Sequence, residues 1–382
     1  MGNYLNPGSK QFMDRLNSKI YIDKTGLIEK TNAVLDTRQK FLCVSRPRRF
    51  GKSMAVDMLA AYYERGEDSS ALFDSLKISK SVSYQTQRNQ YDVLKVNMRE
   101  FLSMTQSING MLSMLQKHLI SELKEHFTNI SFLDENNLIQ VMRDIYSKTK
   151  YSFVILIDEW DCLFWEYPQD DYAQKKYLDF LSMWLKDKDY ISLVYMTGVL
   201  PIKKNGSHST LDMFTEYSMT DPGNSAEYFG FTAQETATLC EKYEMDFDEA
   251  KPWYNGYQLV THRPAGDESC SIYNPQSVVK AMTHHKFKAY CNQPEIHEIL
   301  KIYIQMDIDG VKETVTKMLA GESVKVNVGT FNNDMTTLAA KDDVLTLLVH
   351  LGYLAYDSIN KTVRIPNKEV AQEYVNAISL IS

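Results

Sequence analysis

Residues 41–53, FLCVSRPRRFGKS, decide how the chain is read. Phe41 to Ser45 suit a buried strand, and a stretch that reads as a helix follows from about Ser53 to Glu64. Between them runs a tight loop ending in Gly51-Lys52-Ser53. Strand, Gly-Lys-Ser and helix in that order turn bare backbone N–H groups and a helix N-terminus toward a phosphate. In such a loop Pro47, Arg48, Arg49, Phe50, Gly51, Lys52, Ser53 and Met54 surround the phosphates. Lys52 reaches the β- and γ-phosphates, and the Ser53 hydroxyl takes a place on Mg²⁺. The full Gly-x4-Gly-Lys-Ser/Thr pattern is not met, because Arg46 stands where the first glycine belongs. Arginine reaches a positive φ less cheaply than glycine, and Pro47 fixes one dihedral. Alone, the stretch fits a phosphate loop or a plain strand-to-helix turn.

A second stretch, SFVILIDEWD at 152–161, bears on that choice. Phe153 to Ile157 form a continuous apolar run, as in a strand of a parallel sheet covered on both faces. The run ends in Asp158 and Glu159. A strand-end acid of this kind holds Mg²⁺, commonly through water, and a glutamate beside it can orient and deprotonate an attacking water. The competing reading makes Asp158 an N-cap and Glu159 a solvated first-turn residue. The pairing of this acidic strand end with Gly51-Lys52-Ser53, roughly a hundred residues upstream on its own strand, favours the nucleotide reading.

The 382 residues, 44% of them apolar, suffice for two or three domains with real cores. A net charge of −7 gives the whole molecule no strong pull on nucleic acid or anionic membrane. The five cysteines (Cys43, Cys162, Cys240, Cys270, Cys291) are odd in number and form no Cys-x-x-Cys pair. A disulfide framework or zinc site is therefore not expected, and a reducing, cytoplasmic setting is. The start, MGNYLNPGSKQFMDRL, shows no signal peptide, and no run is long enough to span a membrane.

In order along the chain, residues 1–40 read as a lead-in whose Asp23 or Lys24 could face a base, or simply lie on the surface. Residues 41–225 read as an α/β core: strands at Phe41–Ser45, Tyr91–Met98, Phe153–Ile157 and Ile191–Thr197 alternate with helices near 108–126, 134–148 and 172–186. Ligands of such sheets sit beyond the carboxyl ends of the strands. Thr197 ends one of them, either as a sensor of the γ-phosphate or lytic water or as ordinary strand termination. Lys203, Lys204 and His208 follow in a polar loop from which a cation could meet developing charge, or merely be solvated. Residues 226–339 read as short helices forming a lid, with an exposed hairpin or loop at 258–274. Residues 340–382 read as a helix–hairpin–helix resembling a winged helix. Its acids about balance its bases, so DNA binding does not follow.

The motifs NPGSKQF, YIDKTGLI, SRPRRFGKS, LIDEWD, TGVLPIKKNGSHST, EYFGFT and YNGY, in this order, make the chain resemble the AAA-ATPase-like family of bacterial P-loop proteins. The resemblance implies the additional-strand P-loop fold, with the Thr197 strand between the Lys52 and Asp158 strands, and ATP with Mg²⁺. It also matches Lys52 and Ser53 to the family's phosphate-loop pair, Asp158 to its metal acid and Glu159 to its base. Arg46 in place of glycine follows the family habit. Members commonly continue into a nuclease-like domain, whereas this sequence stops at Ser382. The expected function is slow Mg-dependent ATP hydrolysis serving as a switch for a protein partner or such a nuclease domain. The alternative is a nucleotide-gated interaction module with little turnover, with DNA association a third reading by analogy alone.

Overall fold

The computed structural model describes residues 2–202, 210–261, 266–291, 294–332, 338 and 340–379. Two compact units are formed. The first comprises Met1–Val44, Lys52–Gly198 and Lys204–Glu216; the second comprises Ser45–Gly51, Val199–Lys203 and Tyr217–Ser382.

The apolar runs become strands β1 (Phe41–Ser45), β2 (Asp92–Asn97), β3 (Phe153–Asp158) and β4 (Ile191–Gly198), joined by β5 (Thr215–Tyr217) in the order β2-β3-β4-β1-β5. β3 runs parallel to both β2 and β4. Every residue of β1, β3 and β4 is buried, which is why these strands show no polar alternation. The Thr197 strand lies between the Lys52 strand and the Asp158 strand, as the resemblance implies.

The first unit protects its open sheet edge with the lead-in. Leu5 bridges Leu94 in antiparallel sense, and Asn6 N donates to Val93 O at 2.8 Å. The Glu122 carboxylate fixes the segment by accepting the amides of Asn3, Tyr4 and Leu5. Pairing of this kind keeps β2 from recruiting foreign strands. Asp23 is structural, accepting from the Thr25 amide and hydroxyl and from the Lys77 amide. One helix, Met98–Thr105, escapes the sequence reading; it starts directly at the end of β2, where the Asn97 side chain caps the Arg99 amide at 2.9 Å.

The second unit is less purely helical than expected. β6 (Phe231–Thr232), β7 (Tyr257–Thr261) and β8 (Glu268–Tyr273) form an antiparallel sheet in the order β6-β8-β7, so the stretch expected as a hairpin or loop supplies two of its strands. Further on, the helix Lys341–Leu351 ends at Gly352, whose φ of 83° closes a left-handed cap. β10 (Ala355–Asp357) and β11 (Thr362–Arg364) follow as a hairpin, with the helix Lys368–Ser379 after it. β9 (Val324–Lys325) adds a third antiparallel strand that a two-residue pattern could not announce.

His350 in that unit is buried and stacked on Phe331 at 5.6 Å. Burial, with the positive charge of Arg46, lowers its pKa to about 3. Because the folded value lies below the ordinary one near 6.5, only the unfolded chain takes up this proton between those pH values. The corresponding stability is complete above about pH 6.5 and is lost progressively as pH falls toward 3. Urea titrations at pH 7 and pH 5 should show wild type losing about 2 kcal/mol more than His350→Leu over that interval.

Candidate functional site

The loop between β1 and the helix Lys52–Tyr63 belongs to the second unit up to Gly51. Arg46, fully buried, explains how it bends without its first glycine. The guanidinium donates to Ser45 O and Tyr217 O at 2.9 Å and to Ser225 Oγ at 3.0 Å, and lies 5.5 Å from the centre of the Phe229 ring. Pro47 seats against Gly352, and the Phe50 ring packs edge-on to Tyr257 at 5.5 Å. Their side chains therefore shape the loop from within. Arg48, Arg49 and Glu373 all act on the Tyr353 phenol, whose pKa is raised chiefly by burial. Arg49 and Gly51 hold left-handed φ values of 71° and 93°. A Cβ at Gly51 would meet nothing within 4 Å, so glycine is favoured there by its backbone conformation rather than by lack of room.

The remaining groups belong to the first unit. Lys52 is buried at the helix start, Ser53 is exposed, and Met54 is half-buried. Asp158 is 5% exposed; its Oδ1 accepts from Thr197 Oγ1 at 2.5 Å and from the Glu159 amide at 3.0 Å. Oδ2 has no protein partner among the described residues. Ser53 and Asp158 line one cleft of about 570 Å³ together with Asn97, Glu100, Asp57 and Lys95. A serine and a carboxylate lining one cleft fit Mg²⁺, which takes few protein oxygens and keeps several waters. Lys203, Lys204 and His208 lie outside the described residues.

Glu159 sits at φ 49°, a left-handed conformation uncommon for a side chain of its size. Its carboxylate meets Arg99 at 3.6 Å, and Arg99 also reaches Glu166 at 3.6 Å. The sequence reading missed Arg99. Only the strand register reveals it: β2 and β3 pair with Asn97 opposite Asp158, so residues just past the end of β2 neighbour the acid pair. Thr197, left open between sensor and strand end, is fully buried and bonded to Asp158.

A five-stranded sheet in this order, with Gly-Lys-Ser after β1 and two acids at the end of β3, defines a nucleotide-binding P-loop fold. The model for predicted AAA-ATPases matches residues 9–207, and the chain belongs to that family. It is 23% identical over 278 residues to an uncharacterized protein in the vnfD 5′ region of Azotobacter chroococcum mcd 1, covering 71% of this chain and 49% of that protein. The chain thus spans about half the length of that curated relative. Among solved structures it is similar in outline to a replication initiator DnaA bound to AMPPCP and single-stranded DNA, at 10% identity and a TM-score of 0.34 over 96% of this chain and 90% of that one. It is likewise similar to the Aeropyrum pernix ORC2 protein in ADPNP–ADP complexes, at 10% identity and a TM-score of 0.36 over 96% and 98% of the two chains. Among the described residues, no helix is long and apolar enough to cross a membrane.

Thr197→Val deletes the hydroxyl that satisfies buried Asp158 Oδ1. Chemical denaturation should show a loss of about 1–2 kcal/mol, with far-UV circular dichroism unchanged.

Proposed function

We propose that the chain binds ATP with Mg²⁺, hydrolyses it slowly, and uses the nucleotide state as a switch. The observation that carries this reading is that Asp158 and Ser53 line one cleft, while Thr197 holds Asp158 Oδ1. Amides of residues 47–51 would hold the phosphates, Lys52 would neutralise them, and Ser53 with Asp158 would hold the metal. When bound, Mg²⁺ supplies charge compensation on the β- and γ-phosphates. Glu159 would take the proton of the attacking water. Residues 41–225 would act as the ATPase core, 226–339 as its lid and 340–382 as a winged-helix-like element. The recipient of the switch is a protein partner or a nuclease domain in a longer protein, and the setting is the cytoplasm.

The Arg99–Glu159 contact supports a second reading, a nucleotide-gated module with little turnover, because it holds the water-activating carboxylate on a cation.

Phosphate release by wild type, Lys52→Ala and Glu159→Gln separates these readings. Hydrolysis predicts losses of at least tenfold in both variants; equal rates in all three would end the catalytic claim, and Mg·ATP binding without turnover would select the second reading. Arg99→Ala should raise basal release about two- to fivefold, since an exposed pair of this kind is worth under about 1 kcal/mol.

A further inference from the structure

Pro47 and Phe50 of the phosphate loop are held by residues that follow them by roughly two to three hundred positions, all within the second unit. Gly352 lies so close under Pro47 that a Cβ would stand 2.9 Å from the proline Cβ and Cγ. The Gly352 carbonyl accepts the Tyr257 hydroxyl at 2.6 Å. The Tyr257 ring meets the Phe50 ring at 5.5 Å, with the planes 83° apart. Pro47, Gly352, Tyr257 and Phe50 thus form a closed circuit around the loop. Gly230 reinforces it through its amide, which donates to Phe50 O at 3.0 Å.

Each member has a reason to be there. Gly352 terminates the helix Lys341–Leu351 in a left-handed cap that favours glycine, and the missing side chain is also what admits Pro47. Tyr257 starts β7 and is 3% exposed, so its hydroxyl needs a buried partner and finds the carbonyl at that cap. Tyr353, next along, brings Arg48 and Arg49 of the loop into one electrostatic neighbourhood with Glu373 of the final helix.

We infer that Tyr257 and Gly352 are positioning residues of the phosphate loop, and that through them the C-terminal helix–hairpin–helix and the loop share one conformational equilibrium. This deepens the ATP reading and rests on it for the ligand, but the clasp itself does not require nucleotide. Packed interfaces move between discrete arrangements rather than deform smoothly, so a loop that shifts on phosphates must carry Gly352 with it. Linkage makes the effect reciprocal: what loosens the cap weakens the phosphate site, and what fills the phosphate site tightens the cap.

Two variants test this on the full chain. Tyr257→Phe removes only the hydroxyl and keeps the ring on Phe50, and Gly352→Ala drives a methyl group into Pro47. Without nucleotide, hydrogen exchange over residues 45–51 should quicken in both, while the helix Lys10–Leu16 exchanges as in wild type. With Mg·ATP, calorimetry should show affinity weakened about 5- to 30-fold. The KM for ATP should rise more than kcat falls, and in wild type Mg·ATP should slow exchange over 341–379. Wild-type exchange over 45–51 in folded Tyr257→Phe would overturn the inference whatever the nucleotide results, even if Gly352→Ala failed to fold. A wild type that binds no nucleotide would instead refute the ATP reading, with the exchange comparison still deciding the clasp.

Discussion

A buried guanidinium sets the shape of the loop between β1 and the helix Lys52–Tyr63. Taking a charge out of water costs several kcal/mol unless hydrogen bonds and a polarisable surface replace the solvent. Arg46 meets that demand with two carbonyls, one hydroxyl and an aromatic face. Those partners come from β1, β5 and the segment around Ser225 to Phe229, so a single side chain draws three parts of the chain to the entrance of the loop. A glycine would provide only backbone freedom. Arginine provides attachment, and the left-handed turn moves downstream to Arg49 and Gly51.

Much of the fold could be read because its buried strands are continuous apolar runs with acids or small residues at their ends. Failures occurred where two periodicities overlapped or where an element was too short to have one. Met98 completes the run YDVLKVNM and so reads as strand, yet it opens a helix with Phe101 and Leu102 on its buried face. The Asn97 cap is the local signal that should have divided the two. β6 and β9 are two residues long and exist only through their partners. In β8 Glu268 and Ser269 are exposed and Ile272 and Tyr273 buried, so the strand carries no clean alternation, and its sequence left a hairpin and a loop as alternatives until the pairing with β7 was seen.

At the candidate site, the positions legible in the sequence are those set by local backbone: Gly51 in a tight turn, Ser53 at a helix start, and Asp158 at a strand end. Arg99 was hidden because its role is a contact between residues sixty positions apart, fixed by strand register rather than by neighbours. Thr197 stayed ambiguous for the same reason. A threonine that ends a strand and a threonine that orients a carboxylate look alike until the adjacent strand is known, and here it is β3.

The two carboxylates at the end of β3 differ in how firmly they are held, and that difference bears on the proposed switch. Asp158 is buried, with one oxygen satisfied by two donors and one left open. It is preorganised and has little freedom to report anything. Glu159 is 39% exposed, and its ion pair with Arg99 at 3.6 Å is weak enough to shift a two-state population only about fivefold. Such a pair can trim a rate but cannot drive a decisive conformational change. The contacts around Pro47 and Phe50 are of another kind, buried and close-packed, with a hydroxyl–carbonyl bond that has no solvent to replace it. If occupancy of the loop is communicated to the rest of the second unit, the energetics place that communication in this buried clasp rather than in the exposed acid pair.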